Sequence, residues 1–415
     1  MNKKIEYIAK KERIEVTKLI ESINKGNTAI FGSKNHKNIN PVGIGPNLRT
    51  KVNATIGTSE DYCNPKDEVE KLQIAIKAGA DTVMDLSTGG NIKQIRKMIL
   101  DICHIPVGTV AIYRSAADCL KKQKIFEKLP SKSFLDTIEE QCDEGIDFIT
   151  IHPGITYKNM ELFQKTNRIT KVVSRGGALT ISWMLANKQE NPFLENFEEI
   201  LKICQKYDVV ISLGNGLRPG CIHDGFDGPH IAEYVSMGEF VYQARKNNVP
   251  IIVEGPGHLR IDKIILDIQM LKSCTYNVPT YYMGPIVTDI APGYDHITSA
   301  IGAAIAAANG VEFLCYITPA EHLSLPTKED VYLGVIIHKI AAHAGDIAKG
   351  IVKAEEWDNL ISKARFDFKW EKIEQLSIDP SEVRKHRELR PSKTRACSIC
   401  GIYCPMDKIR KIKND

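Results

Sequence analysis

The sequence predicts a (β/α)8 barrel with a helical extension before it and a charged helical arm after it. Short apolar strands recur through the middle of the chain, each closed by polar or glycine residues and followed by a helical pattern. Eight or nine such units fill roughly 270 residues, which suits a closed parallel barrel better than an open sheet. The first strand is followed by Gly57-Thr-Ser-Glu-Asp, which is not the glycine-rich phosphate fingerprint of a doubly wound fold.

The elements follow in order. Residues 1–25 read as one amphipathic helix, with Ile5, Ile8, Val16, Leu19, Ile20 and Ile23 at helical spacing. Residues 26–50, rich in Gly, Asn and Pro, read as an ordered loop. The barrel is placed at 51–350, with strands at 52–56, 82–86, 107–110, 147–151, 171–174, 209–213, 251–254, 280–283 and 312–317. Helical patterns stand out at 65–78, 133–144, 193–207, 231–247 and 328–344. The arm is placed at 351–415: a charged helix, a run from Glu382 to Lys393 that reads as mobile, and then Cys397, Cys400 and Cys404.

Composition narrows the function. The chain has 415 residues, 43% of them hydrophobic, enough for a substantial core. A net charge of +4 argues for no nucleic-acid or membrane partner. No run reaches the ~20 apolar residues of a membrane span, and the N-terminus lacks a signal peptide's apolar core. A cytoplasmic protein is expected, in which the eleven cysteines stay reduced and free for metal.

Three thiols within eight residues, turned through Gly401, suit an iron–sulfur cluster or zinc. A 4Fe–4S cluster held by three cysteines has one iron open to a reactive ligand. The other reading is a structural zinc completed by a distant His or Cys. On a mobile arm, a reactive cluster suggests a lid closing over its own barrel or a neighbour's.

In such a barrel the site forms at the C-terminal strand ends. Those ends carry Asn53, Thr55, Met84, Asp85, Tyr113, His152, Ser174, Arg175, Asn215, Arg218, Glu254, His258, Tyr281, Asp289, Glu321 and His322. His258 and His322 each follow a strand and, with Glu254 or Glu321 and water, would suit Zn²⁺ or another divalent metal. Arg175 and Arg218 stand beside glycines, an arrangement suited to a phosphate ester.

Several long runs then carry a resemblance. Ala80-Asp-Thr-Val-Met-Asp-Leu-Ser-Thr-Gly, Glu254-Gly-Pro-Gly-His, Thr288-Asp-Ile-Ala-Pro-Gly-Tyr-Asp-His, Thr318-Pro-Ala-Glu-His-Leu and Lys339-Ile-Ala-Ala-His-Ala-Gly-Asp resemble the ThiC family over about residues 45–405. The resemblance implies a non-classical radical S-adenosylmethionine lyase. Its C-terminal 4Fe–4S cluster cleaves S-adenosylmethionine to a 5′-deoxyadenosyl radical, which rearranges 5-aminoimidazole ribonucleotide (AIR). It implies Cys397, Cys400 and Cys404 as cluster ligands and His258 and His322 as ligands of a second metal, usually zinc. Substrate contacts would come from Thr55, Met84, Tyr113, His152, Ser174, Arg175, Gly176, Asn215, Gly216, Leu217, Arg218, Glu254 and Tyr281. A flavodoxin- or ferredoxin-like electron donor and a homodimer, or a pairing with a paralogue, are also implied.

The family's main product is the hydroxymethylpyrimidine phosphate of thiamine. A sister branch makes 5-hydroxybenzimidazole, the precursor of the cobamide lower ligand. Thr55 stands where the family usually has Asn, and Asn215 where it usually has Asp. The first change removes two donors and the second a charge beside the substrate, so the expectation is the 5-hydroxybenzimidazole branch, with the thiamine branch as the alternative. Outside this chemistry, the chain reads as a binding subunit for a paralogue or as a zinc hydrolase.

Overall fold

The structure is a computed structural model and describes residues 3–412. The chain forms two compact units that divide after Lys349.

In the first unit eight parallel strands close a barrel: β3 (Lys51–Ile56), β4 (Thr82–Asp85), β5 (Val107–Val110), β6 (Phe148–Ile151), β7 (Val210–Leu213), β8 (Ile251–Glu254), β9 (Thr280–Tyr282) and β10 (Phe313–Cys315). β10 lies beside β3, with Phe313 opposite Lys51 and Cys315 opposite Asn53. Most strands are buried on both faces, which is why they read as continuous apolar runs. The (β/α)8 barrel is therefore as predicted, with helices between the strands, the longest at Lys328–Ala348 and Gly228–Lys246.

The strand expected at 171–174 does not form. Lys171 takes a left-handed φ of 58°, and Ser174 caps the helix Arg175–Asn187 by accepting from the Gly177 N–H (3.0 Å). Capping wins over a short apolar run. The single helix expected at 1–25 is two, Lys3–Glu12 and Val16–Asn24, broken at Arg13 (φ 57°).

Residues 26–50 hold a hairpin, β1 (Ala29–Phe31) and β2 (Val42–Ile44). Its Phe31 plugs the barrel floor, 4.8 Å from Phe148 and 5.8 Å from Phe313 between ring centres, where β6 and β10 begin. Asp147 binds the following loop: its carboxylate accepts from the Ser33 N–H (2.8 Å) and pairs with His36 (2.7 Å).

The second unit is a small helical assembly. Its helices are Val352–Phe366, Trp370–Leu376, Pro380–Leu389 and Pro405–Ile412. The run expected to be mobile from Glu382 is largely the third of these. Asp379 caps it, Pro380 opens it, and Arg387 lies 4.0 Å from the Trp370 ring centre. Its charges are a solvated helix face. Trp357 and Trp370 donate their indole N–H groups to the carbonyls of Leu376 and Arg395 (2.6 and 2.8 Å). Among the described residues no helix is long and apolar enough to cross a membrane.

Phe31 is wholly buried among aromatic rings that cannot easily collapse. Phe31→Ala is expected to lower unfolding free energy by about 3–5 kcal/mol; denaturant titration measures it, and a loss below ~1 kcal/mol would refute the plug.

Candidate active site

The strand ends opposite the aromatic floor enclose a cavity of about 480 Å³. It adjoins a second of about 840 Å³, and Thr55, Leu86, Tyr113 and Glu321 line both. Of the residues predicted from sequence, Thr55, Met84, Tyr113, His152, Arg218, Glu254, His258, Tyr281 and His322 line the first. Arg175 lines the second and lies 4.9 Å from the Tyr113 ring centre. Ser174, Gly176, Asn215, Gly216 and Leu217 form the turns behind this surface. Asn53 and Asp85 serve the barrel: Asn53 donates to Tyr281 Oη (2.8 Å), and Asp85 pairs with Arg96 (3.2 Å).

Burial sets the electrostatics. His152 sits between two glycines: a Cβ on Gly176 or Gly214 would fall 2.1 or 2.6 Å from its ring. Burial, with Arg218 nearby, depresses its pKa to about 3, so it is neutral, and its Nδ1 has no partner. Burial raises the Glu254 pKa, although the carboxyl group accepts from Thr150 Oγ1 (3.1 Å) and Ser212 Oγ (3.3 Å). Glu233, not singled out in the sequence, accepts from the N–H groups of Gly216 and Leu217 (2.8 and 2.7 Å) and shapes the turn that carries Arg218. Its only sequence signal is an acidic residue inside a helix. Among the described residues neither Arg175 nor Arg218 forms an ion pair, although Glu254 and Glu321 lie close enough to Arg218 to feel its charge.

His258 and His322 face each other with Nε2 atoms 3.3 Å apart. Asp289 holds His258 Nδ1 (2.8 Å), and Asp295, which the sequence reading did not include, holds His322 Nδ1 (3.3 Å). His322 adopts a left-handed φ of 61°, uncommon for histidine. With each Nδ1–H given to a carboxylate, two Nε2 lone pairs confront each other. Two nitrogens on a tetrahedral Zn²⁺ lie about 3.3 Å apart, so the pair fits a shared metal. Among the described residues no three His, Cys, Asp or Glu side chains converge on one point.

In the second unit Cys397, Cys400 and Cys404 occupy one tight turn, in which the Gly401 N–H donates to the Cys397 carbonyl (3.0 Å). Backbone N–H groups of Cys400 and Ile399 lower the Cys397 thiol pKa. Three thiols in one turn, the first with its thiolate form favoured, are by chemistry the donor set an iron–sulfur cluster takes, although they do not converge on one point here.

Fold and cavity together define a barrel enzyme with a partly basic site at the strand ends. The model of the radical SAM ThiC family matches residues 1–411, and the chain belongs to that family. Membership carries with it a 4Fe–4S cluster, S-adenosylmethionine and the need for an electron donor. A Thermoanaerobacter protein is 49% identical over 407 residues, covering 98% of this chain and 94% of that protein. A Clostridium tetani protein is 47% identical over 413 residues (99% and 90% covered) and a Carboxydothermus hydrogenoformans protein 47% over 416 (100% and 96%). All three are named phosphomethylpyrimidine synthase. A dihydropteroate synthase structure from Coxiella burnetii superposes with a TM-score of 0.42 at 11% identity over 77% of this chain and 99% of that one, too slight a likeness to carry an argument.

These names overturn the expectation of the 5-hydroxybenzimidazole branch and of a cobamide product. That expectation rested on Thr55 and Asn215. The Asn215 side chain does not line the cavity; it donates to His230 Nε2 (3.0 Å) behind it. Two residues weigh little against near-half identity along the whole chain.

Burial holds His152 and His230 at about 3 and His338 at about 4, against about 6.5 in an unfolded chain. Between those values the unfolded state binds more protons, so what these histidines add to stability is full above pH ~6.5 and declines as pH falls toward 4. Buried Glu233 and Asp267, raised to about 7, act in the opposite sense, so the check is made on the imidazoles themselves: NMR titration is expected to leave these three histidines uncharged at pH 5, and signals from all three titrating near 6.5 would refute neutral burial.

Proposed function

We propose that this chain is a phosphomethylpyrimidine synthase, converting AIR to hydroxymethylpyrimidine phosphate for thiamine. Near-half identity to relatives of that name, over almost their full length, is the observation that carries this reading.

The cavity supports the substrate. Arg175 and Arg218, which form no ion pair among the described residues, suit a phosphate ester, which arginine grips by paired charged hydrogen bonds. The start of helix Arg175–Asn187, at Ser174 and Gly176, adds backbone N–H groups and a positive dipole end. Neutral His152 offers its unpartnered Nδ1 to the ligand. Tyr113, Met84, Thr55 and Tyr281 complete the walls. Glu254, whose carboxyl group burial inclines to stay protonated, can hold or release a proton at the heterocycle.

Cys397, Cys400 and Cys404 would hold the 4Fe–4S cluster, which supplies reductive cleavage of S-adenosylmethionine to the 5′-deoxyadenosyl radical. His258 and His322 would hold Zn²⁺ or a similar divalent ion as a fixed positive charge. A flavodoxin or ferredoxin suits the role of electron donor.

Anaerobic incubation with AIR, S-adenosylmethionine and reductant is expected to give hydroxymethylpyrimidine phosphate by mass; a benzimidazole as sole product would overturn the assignment. Cys400→Ala should abolish 5′-deoxyadenosine formation, and continued turnover would remove these cysteines from the chemistry. Loss of one charged hydrogen-bond set in Arg218→Ala should weaken AIR binding by about 10- to 100-fold, measured by calorimetry.

A further inference from the structure

The histidine pair and the basic wall share one carboxylate. Asp289 gives its two oxygens to two parts of the barrel mouth. Oδ1 pairs with His258 Nδ1 (2.8 Å), and Oδ2 accepts from the Ile222 N–H (2.9 Å). Ile222 opens a short helical turn, Ile222–Asp224, just beyond Arg218, Pro219 and Gly220, which line the first cavity.

The same segment is tied on its other side. Buried Asp224 accepts from the Ile169 N–H (2.8 Å), the Thr170 N–H (2.9 Å) and the Thr170 hydroxyl (2.6 Å). Asp227 takes the Arg168 guanidinium through Nε and Nη2 (2.7 Å each). A Cβ on Gly220 would fall 1.9 Å from Val173 Cγ1, so the two segments touch. Thr170 and Val173 also line the cavity. Segments 168–173 and 218–227 therefore make one wall, and Asp289 joins that wall to His258.

A carboxylate accepts on both oxygens, and a backbone N–H can only donate, so neither contact depends on how a ring or an amide is turned. A divalent ion on His258 Nε2 draws charge from the ring and makes Nδ1–H a stronger donor, which holds Asp289 in place. Without an ion, two Nε2 lone pairs face each other at 3.3 Å and push the rings apart, and Asp289 follows His258. The grip on the Ile222 N–H then loosens.

We propose that Asp289 is a positioning residue that couples the His258–His322 metal site to the substrate wall. A divalent cation at the histidines firms the segment bearing Arg218, and a ligand against that wall tightens the cation by the same factor. This rests on the readings above that the histidines hold Zn²⁺ and the wall holds AIR.

The first test needs no AIR. Hydrogen exchange is followed by mass spectrometry in the cluster-loaded full chain, with and without Zn²⁺. Zn²⁺ is expected to slow exchange across 221–225 by at least about fivefold in the wild type and to leave His258→Ala unchanged. A smaller slowing in the wild type, or an equal one in His258→Ala, overturns the proposal. The second test cuts the link itself. Proline suits the first position of a helical turn, and extended Cys221 (φ −155°, ψ 163°) tolerates a proline after it, so Ile222→Pro removes the N–H donor alone. In calorimetry Zn²⁺ should tighten AIR by at least about fivefold in the wild type. In Ile222→Pro, Zn²⁺ should still bind while that factor falls below half its wild-type value; a larger remaining factor, or loss of Zn²⁺ binding, overturns the link. Asp289→Asn offers one acceptor where two are needed, and a Zn²⁺ effect retained there would overturn it as well. A wild type that binds no Zn²⁺ ends the metal reading and the coupling together. One that binds no AIR defeats the substrate reading instead, and hydrogen exchange still decides the link.

Discussion

Closure of β10 onto β3 is the constraint on which the rest depends. Once the parallel ring is closed, every strand has one end at each mouth, and the two mouths take opposite chemistry. The starting ends collect Phe148 and Phe313 around the incoming Phe31. The finishing ends collect Thr55, Met84, His152, Glu254 and the turns bearing Arg218 and His258. Packing at the floor fixes the register, and register aims each polar side chain at the other mouth.

The electrostatic character of that mouth follows from exclusion of water. Burial pushes His152 and Glu254 toward their neutral forms, and Arg175 and Arg218 stand beside them. The site therefore joins buried hydrogen-bonding groups to guanidinium groups at its edge. Such a surface discriminates by hydrogen-bond geometry at one end of a ligand and by charge at the other.

The barrel was legible because double-sided burial writes each strand as an apolar run, and its strand ends named each His, Glu and Arg that lines the first cavity. What escaped sequence reading was local or spatial. Ser174 capped a helix where a strand was expected, and Arg13 broke an amphipathic helix through backbone twist alone. Glu233 and Asp295 act through neighbours distant in sequence, so no spacing marks them. Asn215 misled because a residue next to the site was read as facing it, when its side chain turns outward to His230.

The glycine grip on His152 has an evolutionary and practical consequence. A ring flanked by Gly176 and Gly214 has no side chain on either side able to lean inward. If the imidazole were lost, repacking could not heal the gap, and the vacancy would keep the outline of an azole. That makes the position hard to drift away from by small steps, and it makes a truncated protein a natural receptor for free imidazole added from solution.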